Sequence, residues 1–241
     1  MRIEALYPEF CQWFGDSENV RYLRQCLPDA EIVETGSHDR PAFPDGSVDL
    51  LVLGSMTERQ QHAAAERLSP YRDRLRERIN EGMAVLSTGN SVELFGEYIE
   101  EGGKRDPMLS LFPFHAERNL KDRHNSMFLG EFEGMKIVGY RAQFSFLRGE
   151  FPGDFIKVLG GCGNSMEDPN EGFRYKNLFA TYLLGPFLIL NPPFTNYLLR
   201  LLGREEPLAF EAAVTEAYAY RRKQLEAKQA KFFFNESGWL E

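Results

Sequence analysis

The sequence predicts an α/β protein: a doubly wound, mostly parallel sheet with antiparallel hairpins at its edge. Three observations carry that reading. VDLLVLG (Val48 to Gly54) is a near-continuous apolar run, as expected of a central parallel strand buried on both faces. Strand-like and helix-like segments alternate from Ile3 to Gly96, and right-handed crossovers turn that order into a parallel sheet covered by helices. From Leu109 to about Tyr182 the helical pattern stops, and short strand-like pieces alternate with Gly-rich turns.

The elements follow in order. IEALY reads as a first strand, and Asn19 to Cys26 as a helix with Asp16 or Ser17 as its cap. AEIVET is a second strand, and the loop GSHDRPAFPDGS leads from it to the VDLLVLG strand. Glu58 to Asn80 is helical and rich in charge, with Pro70 breaking it, since proline removes a backbone donor and clashes with the preceding turn. FLGEFEGMKIVGYRAQFSFL and FIKVLGG supply edge hairpins. A short helix is expected over Thr195 to Leu202, and a last amphipathic helix from about Leu208 to Lys231. One domain over 1–203 with a helical tail, 204–241, packed on it accounts for the whole pattern.

Composition bounds the function. At 241 residues, 43% hydrophobic and with 20 Phe, the chain buries a substantial core. A formal charge of −8 disfavours nucleic acid and anionic membrane as partners. MRIEALYPEF has no apolar signal core, and the longest apolar stretch, Phe179 to Leu190, falls short of the roughly 20 residues a spanning helix needs. Cys11, Cys26 and Cys162 are far apart, and the four histidines have no metal-ligand spacing. The expectation is a cytoplasmic protein with reduced thiols, no membrane insertion, no metal and no cofactor.

GMAVLSTGNSVELFG (Gly82 to Gly96) has the outline of a catalytic turn: an apolar strand, a small-residue corner, then a helix. Such corners hold a nucleophile beside backbone N–H groups that bind an oxyanion. The residue at this apex is Gly89, which has no side chain.

A second signal lies downstream, in GCGNSMEDPNEGFRYKNLFATYLLGPFLILNPPFTNYLL (Gly161 to Leu199). Its Gly163-Asn164, Glu167-Asp168, Glu171-Gly172, Tyr175-Lys176-Asn177, Thr181-Tyr182-Leu183, Gly185-Pro186 and Asn191-Pro192 resemble, in order, the closing series of CobB/CobQ-type class I glutamine amidotransferases. The resemblance is nearest to amidotransferase subunits of lipid II isoglutaminyl synthases. It extends to Asp16, Asn19 and Leu23-Arg24, to DLLVLGSMTERQQ (Asp49 to Gln61), and to Ile137-Val138-Gly139-Tyr140. It implies a flavodoxin-like sheet with the reacting site at the carboxyl ends of the strands. It further implies a Cys that attacks the glutamine amide, a His as acid and base, and ammonia passed to a Mur-ligase-like synthetase subunit.

The residues that would do this chemistry are replaced. The Cys position is Gly89, the His position Leu184, and the Gln four residues after the Cys is Glu93. Ser55 and Met56 follow Gly54 where the family has further glycines, and the segment from Gln143 to Phe146 replaces its NHGGR. Arg123 falls near the Arg that the resemblance assigns to the glutamine carboxylate. Thr88 and Ser91 offer hydroxyls at the corner, either as displaced nucleophiles or as capping groups, and Asn90 lies between them. Glu93 reads either as an inward carboxylate favouring a cationic ligand or as an exposed helix residue. Cys162 reads as a nucleophile or a small buried hydrophobe, and His115 and His124 as part of a rearranged polar pocket or of a solvated loop. Phe232, Phe233, Phe234 and Trp239 either dock on their own domain or meet a partner.

The pocket candidates are therefore Gly54, Ser55, Thr88, Asn90, Ser91, Glu93, Arg123 and Gln143, around the degenerate positions Gly89 and Leu184. The leading expectation is a non-catalytic subunit that binds and shapes a Mur-ligase-like partner. The alternatives are an amidotransferase with a displaced nucleophile, serving cell-wall or cobyrinate-type amidation, and a sensor of a small amino-acid-like ligand.

Overall fold

The computed structural model describes residues 1–227 and 231–233. Phe234 and Trp239 lie outside the described residues. The strands are β1 (Arg2–Leu6), β2 (Glu31–Thr35), β3 (Leu50–Leu53), β4 (Ala84–Thr88), β5 (Tyr98–Glu101), β6 (Lys104–Pro107) and β7 (Phe114–Arg118). They continue with β8 (His124–Phe132), β9 (Met135–Gln143), β10 (Ser145–Gly149), β11 (Asp154–Gly160), β12 (Asn170–Tyr175) and β13 (Leu178–Thr181). The helices are α1 (Ser17–Cys26), α2 (Glu58–Leu68), α3 (Arg72–Glu81), α4 (Phe187–Leu190), α5 (Pro192–Leu201) and α6 (Glu211–Glu226).

The main sheet runs β2-β1-β3-β4-β13-β12-β11-β8-β9. The five strands from β2 to β13 are mutually parallel, and the remaining four are antiparallel. The expected edge hairpins are thus β8, β9, β11 and β12. A separate four-stranded sheet, β10-β7-β5-β6, was not anticipated. Its β5–β6 hairpin turns at Gly102-Gly103, both at positive φ, in a segment too polar to read as strand.

β3 explains its own apolar run. Leu51 and Leu53 face a core shared with α2, α3 and the small sheet, while Leu50 and Val52 face α1 and α5 on the other side. The second core is dense in rings: Phe194 packs on Phe132, Phe155, Phe179 and Phe187 at centroid distances of 5.1–5.9 Å. Truncating such a residue removes about 3–5 kcal/mol.

The charged helical stretch breaks where expected, with α2 and α3 separated by a 3-10 turn at Ser69–Tyr71 that contains Pro70. Thr57 and Gln60 form a capping box at the start of α2. The helix expected to begin at Asn19 starts at Ser17, and the one expected at Thr195 starts at Pro192, where a proline suits the first turn. The helix expected to reach Lys231 ends at Glu226. It packs Tyr218 and Leu225 against Leu129 and Val138 of β8 and β9.

β1 carries a fully buried carboxylate. Glu4 accepts from the Thr35 hydroxyl at 2.6 Å and from the backbone N–H groups of Ala42 and Phe43 at 2.7 and 2.8 Å. It ties the loop after β2 to the strand beside it.

Candidate functional site

The parallel pairing of β4 with β13 sets Thr88 opposite Thr181. The two loops that follow, 89–91 and 182–186, therefore emerge side by side at the carboxyl ends of the strands, although they are nearly a hundred residues apart in the chain. The Gly89 N–H donates to Leu183 O at 3.3 Å and joins them. After Thr88 the chain does not enter the expected α-helix; Gly89–Phe95 is a 3-10 segment.

Gly89 sits at φ +61, a left-handed conformation that glycine adopts without strain. A Cβ built there would fall on Ser55 Oγ, 2.8 Å from Ser55 Cβ and 3.2 Å from its Cα. Ser55 therefore fills the space in which a nucleophile at this apex would stand. Its backbone is engaged as well. The Ser55 N–H donates to Asp16 at 2.5 Å, and the Met56 N–H donates to Asn90 Oδ1 at 3.0 Å. Asn90 returns a bond to Met56 O at 2.8 Å, and Gln61 donates to Asn90 O at 2.7 Å. The N–H groups of the loop that would meet an oxyanion are bonded to the protein's own side chains.

Asp16 does not cap α1 through its carboxylate, contrary to the sequence reading. The carboxylate points to the strand ends, accepting from Thr88 Oγ1 at 2.8 Å as well as from Ser55. Burial pushes its pKa up to about 6, against the pull of its hydrogen bonds to Ser55, Thr88 and Gly185. Gly54 lets this residue approach, since a Cβ on it would lie 2.8 Å from Asp16 Cβ. The candidate hydroxyls are consumed here: Thr88 is spent on Asp16, and Ser91 donates to Thr88 O at 2.8 Å and meets Ser87 Oγ at 2.7 Å. Both are fully buried.

Glu93 is buried, which removes the exposed-helix reading, and it is also neutralised. Arg118 of β7 donates to it at 2.8 Å, Gln61 at 2.9 Å and the Tyr182 hydroxyl at 3.0 Å. The side chains of Glu93 and Arg118 are 1% and 2% exposed. A carboxylate paired in this way offers no net charge to a cationic ligand, so that expectation is corrected. Arg118 also donates to Gln61 Oε1 and to Ser145 Oγ, while its Nη1 has no hydrogen-bond acceptor among the described residues. Burial and the Glu93 charge push the Tyr182 hydroxyl far above its usual range, so it remains a donor.

A cavity of about 170 Å³ opens over this network. Ser55, Met56, Asn90, Glu93, Arg118, Gln143 and Leu184 line its wall, and Trp13, Phe14, Arg123 and Phe144 its mouth. The Arg123 guanidinium lies over the Phe14 and Phe144 rings, at 5.5 and 5.3 Å, and has no carboxylate partner among the described residues. Of the residues singled out in the sequence, Ser55, Asn90, Glu93, Arg123, Gln143 and Leu184 converge on this cavity. Thr88, Ser91 and Gly89 lie behind its wall, and Gly54 faces a second cavity beside α1. Arg118, Gln61 and Tyr182 were missed. A lone Arg in HAERN has no sequence signal until a strand is known to carry it inward.

The histidines fare differently from a solvated loop. His115 stacks on Tyr98 at 4.7 Å, and His124 opens β8 with its Nε2 3.0 Å from Cys162 Sγ. Among the described residues no cluster of His, Cys, Asp and Glu is placed to hold a metal ion, and no helix is long and apolar enough to cross a membrane.

No family model matches the chain. It is 28% identical over 221 residues to the Staphylococcus aureus (strain N315) lipid II isoglutaminyl synthase (glutamine-hydrolyzing) subunit GatD, covering 90% of this chain and 88% of that protein. The subunit of the same name from Streptococcus pneumoniae (strain ATCC BAA-255 / R6) is 26% identical over 203 residues, 79% of this chain and 76% of that one. The fold matches a crystal structure of a glutamine amidotransferase with a TM-score of 0.56 at 17% identity, over 83% of this chain and 98% of that one. A glutamine amidotransferase from Thermotoga maritima matches with a TM-score of 0.53 at 10% identity, over 92% of each chain. The chain is thus similar in sequence, over most of its length, to the two GatD subunits, and its fold is that of the glutamine amidotransferase structures.

Proposed function

We propose that this chain is a non-catalytic member of the glutamine amidotransferase family: a cytoplasmic subunit that binds and shapes a Mur-ligase-like synthetase and does not release ammonia from glutamine by a Cys–His route. The observation that carries the reading is the Ser55 side chain standing where a nucleophile on Gly89 would have to stand. The occupied Ser55 and Met56 N–H groups and the apolar Leu184 support it. An acyl transfer needs a nucleophile, a base and free oxyanion donors in one place, and here all three positions are otherwise used. The relatives' name, a synthase subunit, favours a role beside a partner.

Ammonia release from glutamine, measured for the chain alone and with a co-purified Mur-ligase-like enzyme, tests the reading. Background release in both is expected. Glutamine-dependent turnover that disappears in Thr88→Ala, Ser91→Ala or Cys162→Ala would overturn it in favour of a displaced nucleophile.

A second reading rests on Arg123, whose guanidinium stands at the cavity mouth without an anionic partner among the described residues. It favours a carboxylate-bearing, amino-acid-like ligand held for sensing. That role is compatible with the subunit reading.

A further inference from the structure

The pocket does not use Cys162 and His124. They belong to distant segments of the chain, and β8 brings the His124 ring to the loop after β11. Cys162 Sγ and His124 Nε2 are 3.0 Å apart, and Ser126 Oγ is also 3.0 Å from the same nitrogen. A thiol and an imidazole at hydrogen-bond distance form the minimal pair for a nucleophile with its base.

A buried cation stands beside them. Arg141 is fully buried and donates through Nη1 to Cys162 O at 2.5 Å and to Gly163 O at 2.6 Å, while its Nη2 has no acceptor among the described residues. Phe232 and Phe233 lie over the pair. The Met127 N–H donates to Phe232 O at 2.7 Å, and Ser126 bridges to Phe233 where β11 has turned away from β8. The Phe233 and Phe146 rings then meet the His124 ring edge-on, at 6.0 and 5.5 Å. Gly160 keeps the slot open for Phe232, because a Cβ there would run into the ring.

From this geometry we infer that Cys162 and His124 form a second, covered reactive site, a thiol–imidazole pair that exchanges with small disulfides when Phe232 and Phe233 lift from β8. In the exchange, the Cys162 S–H gives its proton to His124 Nε2 and the thiolate attacks one sulfur of the disulfide. That S–S bond breaks, a mixed disulfide forms on Cys162, and the departing thiolate takes the proton back from His124.

The charges facing the pair fit a site that is quiet while covered. Burial pushes the Cys162 thiol up, with Glu171 adding to that and Arg141 opposing it. Burial and Arg141 together bring His124 down to about 4, with Asp122 opposing, so the imidazole is neutral and free to accept a proton. Uncovering the site lessens the burial that keeps the thiol protonated and leaves Arg141 beside it.

The test uses the full chain and 5,5′-dithiobis(2-nitrobenzoate), following release of the coloured thiolate and locating the label by peptide mass. Slow labelling of Cys162 is expected in the native protein, and an increase of about ten-fold or more in Phe233→Ala and in Phe232→Ala. In the Phe233→Ala background, His124→Gln should slow the reaction and remove the imidazole inflection from its pH profile. Label on Cys11 or Cys26 in place of Cys162 overturns the inference, as does an unchanged rate in both Phe variants. Equal acceleration at Cys26, on α1, signals global unfolding and overturns it too.

Discussion

Ser55 and Gly89 exclude each other's side chains. The Ser55 hydroxymethyl group occupies the volume into which any Cβ at position 89 would project, and position 89 holds the left-handed φ of +61 that leaves glycine as the comfortable residue. The two lie on neighbouring strand-end loops, after β3 and β4, so the exclusion follows from the parallel register of those strands. Gly89→Ala should lose about 2–4 kcal/mol, from backbone strain together with the clash. In a urea-denaturation double-mutant cycle, Ser55→Gly should return at least about 1 kcal/mol of that loss. Gly89→Cys with Leu184→His, lacking the change at Ser55, should give no ammonia release.

The Glu93–Arg118 pair should behave as a buried ion pair. Glu93→Ala leaves the Arg118 guanidinium without its counter-charge and the Tyr182 hydroxyl without its acceptor, and should destabilise by about 3–5 kcal/mol. Arg118→Met combined with Glu93→Leu should lie within about 2 kcal/mol of the parent, because no charge is then stranded. Chemical denaturation of the single and double variants measures both.

Two groups, the buried Asp16 and the half-buried His124, pull stability in opposite directions with pH. Asp16 titrates near 6 when folded and near 3.8 otherwise, so the folded state holds the extra proton and its contribution falls as pH rises from about 4 to 6. His124 titrates near 4 when folded against 6.5 otherwise, so the unfolded state holds the extra proton and its contribution rises over nearly the same window. Relative to the parent, Asp16→Asn should gain stability as pH rises through that window, and His124→Gln should lose it. Each difference should approach about 1.4 kcal/mol per pH unit at its steepest. Melting temperatures at closely spaced pH values decide the signs.

Arg123 should matter to ligands and little to the fold. It stands at the surface with its guanidinium over two rings, so Arg123→Ala should change stability by less than about 0.5 kcal/mol. A carboxylate-bearing amino acid that raises the melting temperature of the parent should lose that effect in the variant, since only binding to the folded state produces the shift.

How much of this was legible in the sequence depended on distance along the chain. The two-faced apolar run of β3 and the Pro70 break declared themselves locally. The emptied apex at Gly89 and the Leu184 position needed the family pattern, because β4 and β13 become neighbours only in the fold. Asp16 was read as a cap because N-cap chemistry is local, whereas its actual partners, Ser55 and Thr88, are set by strand ends. Glu93 left two readings open because the deciding residue, Arg118, sits on a strand of a sheet whose existence the polar β5–β6 hairpin concealed. The pairing of His124 with Cys162 likewise depends on antiparallel neighbours that no spacing rule connects.

Glu4 bears on how the chain avoids a wrong assembly. β1 lies between β2 and β3, and its residues after Arg2 are buried whichever face they point to. Greasy contacts alone would tolerate a slip of one residue there, since apolar side chains would still be covered. A slip would swing the Glu4 carboxylate to the opposite face, away from Thr35, Ala42 and Phe43, and strand a charge in the core beneath α1 and α5. One acidic residue among apolar neighbours thus acts as a registration pin, penalising the misaligned sheet.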